Sequence, residues 1–256
     1  MKISVITVAY NSGATIVDTV ESVLGQTHAE IEYIVIDGGS TDDTLAKLQP
    51  YRERIAVLVS EPDGGMYDAM NKGIAQSTGD VVAILNSDDV YADSEILSQV
   101  ARVYEETGAD CVYGDLHYVA YEDLSQIVRN WQSGPIPKNR FIGGWHPPHP
   151  SFFVRRSLYE RLGDFQLNLK IAADYEWMLR AVQRHACSVA YLPKVLVKMR
   201  VGGASNRSLR NVASANRECL RAWRMNGYGL AVGLRATISK PLGKLKQLRS
   251  RVGQNG

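Results

Sequence analysis

The chain has 256 residues, 45% hydrophobic and 22% charged, which suits one large α/β domain or one domain with a small appendage. No run approaches the roughly 18 apolar residues of a membrane span, and the strand-like start after Lys2 does not suit a signal peptide, so a cytoplasmic protein is expected. The net charge of +2 hides an asymmetry: residues 200–256 carry 12 Lys/Arg and one acid, Glu218, on an otherwise acidic body, which suggests a phosphate-rich partner.

Residues 3–9 form a β-branched apolar run, the mark of a buried strand. Ile16, Val20, Val23 and Leu24 then share one helical face. A second strand is expected over residues 31–36. Ser40 and Asp43 have N-cap and N3 spacing, which places a helix start at Thr41. A third strand over 55–59, a helix over 67–76, a fourth strand over 81–85 and a helix over 95–106 follow. Repeated β-α units imply a parallel sheet with helices on both faces, and ligands then bind at the carboxyl ends of the strands.

The second half is less regular. Strands are expected at 111–113, 117–121 and 127–131. Residues 133–150 hold five prolines and Gly143-Gly144, a mobile loop by composition. A helix over 174–185, short strands over 188–192 and 195–201, a tight turn at Gly202-Gly203-Ala204-Ser205 and a basic-faced helix over 206–225 complete the reading. Cys111, Cys187 and Cys219 lie far apart and read as reduced structural thiols.

Four strand ends in the first half are polar: Tyr10-Asn11, Asp37, Glu61 with Asp63, and Asn86-Ser87-Asp88-Asp89. Adjacent carboxylates repel unless a cation sits between them, and hard divalent cations take carboxylate and phosphate oxygens together. Asp88-Asp89 therefore suits a metal bridging to a diphosphate; the alternative is one helix cap and one solvated acid. Neither G-x-G-x-x-G nor a P-loop is present, so a bound phosphate would be held through metal. Asp37 is placed to accept hydrogen bonds from a nucleoside.

These segments, together with Tyr33 to Asp42 and Glu61-Pro62-Asp63-Gly64-Gly65-Met66-Tyr67-Asp68-Ala69-Met70-Asn71-Lys72-Gly73, resemble family 2 glycosyltransferases with the GT-A fold over residues 1–205. The subgroup it looks like assembles bacterial polysaccharide, capsule or O-antigen. The resemblance implies an α/β, Rossmann-like mixed sheet flanked by helices and an inverting, metal-dependent transfer from a nucleotide sugar. It implies nucleotide contacts from Ala9, Asn11, Asp37, Asp63, Asp68, Asn71, Lys72 and Asp88. Asp89 with Asp88 would hold Mn²⁺ or Mg²⁺. Asp174 would be the base, with capping of its helix as the competing role and Glu176 as the fallback base. His149 and Trp145 would line the acceptor side, although Trp145 equally suits a buried position. Arg200 or Arg207 would assist near the Gly-Gly turn. Gly38 and Asn86 stand where the family often has aspartates, and Met70-Asn71 where it often has Arg-Asn.

The implied organisation is a domain over 1–205, with nucleotide-sugar half 1–110 and acceptor half 111–205, plus a basic helical extension over 206–256. Uridine is the expected nucleotide, with guanosine and thymidine donors open. Within the extension, apolar residues from Ile238 to Val252 alternate with Lys and Arg, which suits an anionic membrane surface and a lipid-linked acceptor, or packing on the body or a partner subunit. The competing functions are a nucleotidyltransferase and a non-catalytic nucleotide-sugar-binding subunit. Nucleic-acid binding would rest on the tail alone and is not expected. The oligomeric state is left open.

Overall fold

The apolar run at the N-terminus becomes an inner strand of the sheet. In the computed structural model, which describes residues 1–202 and 209–237, β1 (Ile3–Ala9) is buried along its whole length. It pairs in parallel with β2 (Ile31–Asp37) and β4 (Val81–Ile84), and β3 (Val57–Ser60) pairs in parallel with β2. Helices α1 (Ile16–Leu24), α2 (Thr44–Leu48) and α3 (Met66–Gln76) make the crossovers that parallel pairing requires.

The sheet then becomes mixed. β8 (Phe152–Arg155) runs antiparallel to β4 and to β6 (Cys111–Val119). β9 (Val189–Arg200) runs parallel to β6, β5 (Val90–Tyr91) pairs antiparallel with β9, and β7 (Ile127–Trp131) folds back on β6. The order is β3-β2-β1-β4-β8-β6-β9-β5. Helices α4 (Ile96–Thr107), α5 (Arg156–Leu162), α6 (Ala173–Met178) and α7 (Leu209–Met225) complete the layers.

Several local expectations shift. The second helix starts at Thr44, because Ser40 turns back to Asp37 and Asp42 accepts the Thr44 N–H at 3.0 Å. The two short strands expected over 188–201 are one strand, with a register shift where Pro193 interrupts the ladder. The helix expected over 174–185 gives way to a π turn at Leu179–Arg184. β5, β8 and α5 were not foreseen. All three cysteines are free and buried.

Two apolar layers cover the sheet. One joins α1 and α4 to it through Ile16, Val20, Leu97 and Val100. The other gathers α3, α5, α6 and α7, and α7 supplies Cys219, Ala222 and Trp223 to it. The C-terminal half of α7 is thus built into the same core as α6. The residues of the expected amphipathic tail, 238–252, and the Gly203-Ala204-Ser205 turn with Arg207 lie outside the described residues.

The edge of the sheet opposite the strand ends is tied by one carboxylate. Glu32, 8% exposed, accepts hydrogen bonds from Lys2 Nζ (2.6 Å), Ser4 Oγ (2.6 Å), Thr78 N (2.7 Å) and Thr78 Oγ1 (2.6 Å). Burial pushes its carboxyl up, but these donors outweigh burial and bring it from 4.5 down to about 2. A depressed acid stabilises the fold above its unfolded value, and that stability is lost as pH falls from 4.5 through about 2. The contribution is on the order of 2–3 kcal/mol. Urea melts at about pH 6 and about pH 3 should show Glu32→Gln less stable than wild type at the higher pH, with the gap shrinking at the lower.

Candidate active site

The carboxyl ends of β1 to β4 are joined side by side through hydrogen bonds. From β3, Ser60 Oγ donates to Asp37 Oδ2 at 2.6 Å. Ser40 Oγ donates to Asp37 Oδ1, and Ser40 Oγ accepts the Asn11 N–H at 2.8 Å. Asn11, held at φ 49, returns its Oδ1 to the Thr41 N–H at 2.9 Å. Asn is among the few side chains that occupy this left-handed region readily. Ser12 Oγ and Ser87 Oγ pair at 2.7 Å, and Thr15 Oγ1 donates to the Ser87 carbonyl, so β4 joins the same ledge. Beside it Tyr10 is 65% exposed, the most open large hydrophobic side chain among the described residues.

The acid pair follows β4. Asp89 is fully buried: its Oδ2 accepts Asn86 Nδ2 at 3.1 Å and its Oδ1 accepts the Arg200 N–H at 3.3 Å. Burial, then the charge of Asp88, raises the Asp89 carboxyl well above the usual range. Burial also raises Asp88, against the pull of Arg200. Asn86 Oδ1 is buried and has no hydrogen-bond partner. Among the described residues no three His, Cys, Asp or Glu side chains gather as a metal cluster. The arrangement is two carboxylates and one unsatisfied amide oxygen.

Asp174 is held from α3. Tyr67, 5% exposed, shares its hydroxyl proton between Asp174 Oδ1 (3.0 Å) and the Ile171 carbonyl (2.8 Å). His149, on a 3-10 turn that packs against β4, β6 and β9, lies within the field of Asp174. Burial lowers the His149 pKa, partly opposed by Asp174, so its imidazole is neutral at pH 7. α3 links the two groups of residues: its leading loop packs Asp63 against β2, and Tyr67 reaches Asp174. A Cβ on Gly38 would meet the Asp63 carboxylate, so the aspartate that the family often has at this position would require Asp63 to shift.

Residues 4–163 match the sequence profile of glycosyl transferase family 2. The chain belongs to that family. An uncharacterized glycosyltransferase of Mycobacterium tuberculosis (strain CDC 1551) is 38% identical over 183 residues, 70% of this chain and 68% of the relative. A PGL/p-HBAD biosynthesis glycosyltransferase of Mycobacterium bovis BCG is 28% identical over 208 residues, 79% of this chain and 78% of the relative. Among solved structures, S. aureus TarS 1-349 in complex with UDP superposes with a TM-score of 0.67 at 22% identity, covering 94% of this chain and 70% of TarS. The mannosyltransferase PcManGT of Pyrobaculum calidifontis, in complex with GDP-Man and Mn²⁺, gives 0.65 at 17% identity, covering 100% of this chain and 76% of PcManGT. These likenesses establish the GT-A-like fold expected from the sequence.

In this glycosyltransferase several candidate residues stand in unexpected surroundings. Asp37 is fully buried, and four donors from its own loops and Ser60 occupy both its oxygens, so it organises the ledge. Asn71 spends both ends of its amide on the Phe165 backbone at 3.0 Å, which ties α3 to the loop before α6. Lys72 pairs with Glu61 at 2.8 Å and Asp68 at 3.6 Å; Asp68 and Asp63 also accept the Gly64 and Gly65 N–H groups. Glu176 is 2% exposed, paired with Arg180 at 2.9 Å and with Asn226 at 2.9 Å, so it is closed off as a fallback base. Arg200 is 5% exposed and braces the acid pair from behind: it donates to the Asp88 and Tyr121 carbonyls and pairs with Asp18. Trp145 donates to the Ser133 carbonyl at 2.9 Å and packs edge-on to Tyr113 and Phe141. The 133–150 loop is pinned there and where Ser133 N donates to Asp115 at 2.8 Å. Ala9 carries the end of β1, its carbonyl accepting the Gly38 N–H at 2.8 Å. Sequence reasoning passed over Tyr67, although the residue sits inside the motif that carries Asp63, Asp68 and Asn71.

Proposed function

We propose that this glycosyltransferase moves a sugar from a nucleoside-diphosphate donor to a hydroxyl of a glycan or lipid-linked acceptor, with inversion. The observation that carries this reading is the pair of half-buried Asp88 and fully buried Asp89 beside the unpartnered Asn86 Oδ1, at the same strand-end face as the ledge. Two like charges with raised pKa values and an orphaned oxygen suit a hard divalent cation that completes its shell with phosphate and water. Mn²⁺ or Mg²⁺ held by Asp89, Asp88 and Asn86 would supply Lewis-acid stabilisation of the departing diphosphate. The complexes of TarS with UDP and of PcManGT with GDP-Man and Mn²⁺ support the same donor chemistry.

The protein's own groups do the rest. Asn11, Asp63 and the exposed ring of Tyr10 stand beside the ledge, where the nucleoside would lie. Asp174 Oδ2 is not engaged by Tyr67 and would accept the acceptor hydroxyl proton as that oxygen attacks the anomeric carbon. Attack opposite the leaving diphosphate inverts that carbon. Neutral His149 would orient the acceptor through its ring nitrogen. UDP is the donor nucleotide we favour, with GDP and dTDP as the rivals. The setting would be bacterial surface polysaccharide assembly on the cytosolic side, with the basic residues of 238–252 against anionic lipid.

A thermal-shift panel of UDP, GDP and TDP, each with and without Mn²⁺, tests the donor. One nucleotide at about 100 times its Kd should raise Tm by roughly 5–10 °C, and only with the metal. No metal-dependent shift with any of the three would refute the reading.

A further inference from the structure

Glu218 is the single acid of the basic C-terminal region, and its position on α7 is unusual. Its carboxylate accepts three consecutive backbone N–H groups: Lys170 at 3.0 Å on Oε1, and Ile171 at 2.8 Å and Ala172 at 2.9 Å on Oε2. These residues lead directly into α6, which opens at Ala173 and carries Asp174. The first N–H groups of a helix and its lead-in have no partner within the helix, and a carboxylate is the strongest acceptor a side chain can bring to them. The acceptor arrives from 46 to 48 residues away in sequence, so this is a tertiary cap and not a local one.

The same segment is gripped from the opposite side. The Ile171 carbonyl and Asp174 Oδ1 share the Tyr67 hydroxyl. Residues 170–174 are thus clamped between α7, through their N–H groups, and α3, through a carbonyl and the carboxylate. α7 is itself fixed against α6: Trp223 Nε1 donates to the Tyr175 hydroxyl at 3.1 Å, and Trp223 is fully buried. At the other end of the connecting chain Arg200 holds Asp88 and Asp89. One stretch of chain, from Arg200 to Glu218, therefore begins on the acid pair and ends on the lead-in to Asp174.

We propose that Glu218 is a positioning residue for turnover: with Tyr67 it fixes the backbone before Asp174 and so sets where that carboxylate meets the acceptor. The inference rests on Asp174 being the base. Misplacing a reacting group by about 1 Å can lower a rate about 100-fold without changing substrate affinity.

The test uses the full chain with Mn²⁺ and UDP-, GDP- or TDP-hexose, following release of nucleoside diphosphate with water as acceptor. Glu218→Gln should lower kcat by about 10- to 100-fold with KM for the donor within about twofold of wild type. Hydrogen exchange at the 170–172 amides should accelerate in the same variant. Tyr67→Phe, which removes only the hydroxyl at the other jaw, should lower kcat with the same unchanged KM, and it serves if Glu218→Gln does not fold. Unchanged kcat in the variants that fold, or a loss confined to KM, would overturn the proposal. Asp174→Asn is run alongside: if it keeps wild-type turnover, the base assignment fails, whereas an inactive Asp174→Asn beside fully active Glu218→Gln and Tyr67→Phe sinks the clamp alone.

Discussion

Asp89→Asn is expected to lower turnover by on the order of 1000-fold, about 4 kcal/mol of transition-state stabilisation. The substitution keeps the size of the side chain and an oxygen for the Arg200 N–H, so the fold around it survives. It removes the fully buried member of two adjacent carboxylates. Asp89 is raised well above its ordinary value, first by burial and then by Asp88, so in the metal-free protein it weakens the fold as pH rises above that ordinary value. The metal-free variant should therefore melt at the wild-type temperature or above it at pH 7, while the Mn²⁺-dependent shift with nucleoside diphosphate disappears. Calorimetry with and without Mn²⁺ separates the two effects. A variant that binds Mn²⁺ and nucleotide as wild type does would remove Asp89 from the metal site.

Asp174→Asn should have the second largest effect, lowering kcat by about 100- to 10,000-fold while leaving donor binding intact. Asn retains the oxygen that accepts from Tyr67 but cannot take up a proton at pH 7. Its partners Tyr67 and His149 are not part of the nucleotide ledge, so nucleoside diphosphate and Mn²⁺ should titrate as they do in wild type. A non-catalytic sugar-nucleotide-binding protein would be insensitive to this change. Single-turnover measurement of nucleotide release decides between them.

The parts of this molecule legible in the sequence are those where a pattern repeats locally. The β-branched run at Ile3 and the runs before Asp37 and Asn86 specify buried parallel strands, and the polar residues that end them mark the working edge. The four residues of β8 and the two of β5 carry no such period; neighbours distant in the chain decide them. The site divides in the same way. The Asp88-Asp89 pair is visible as two adjacent letters. The hydroxyl that holds Asp174 comes from 107 residues away, and the backbone N–H that meets Asp89 from 111. Asp37 shows the limit: its place at a strand end is legible, but Ser60, which occupies its oxygen, is supplied by a different strand. Glu176 looked available because it lies two residues from Asp174, yet that step along a short helix turns it into the core against Arg180.

The two rims of the sheet are built from the same chemistry, a buried carboxylate ringed by hydroxyl and N–H donors: Glu32 on one rim and Asp37 on the other. They lie at opposite ends of β2, seven residues long, whose rigid backbone keeps them roughly 17 Å apart. Shelf life and catalysis can therefore be engineered as separate traits. Library mutagenesis around Lys2, Ser4, Glu32 and Thr78 would tune how the protein withstands acid, and, on the proposed function, mutagenesis around Asn11, Ser40 and Ser60 would retune nucleotide choice. Gains from the two libraries should combine by simple addition, since the sites share no partners.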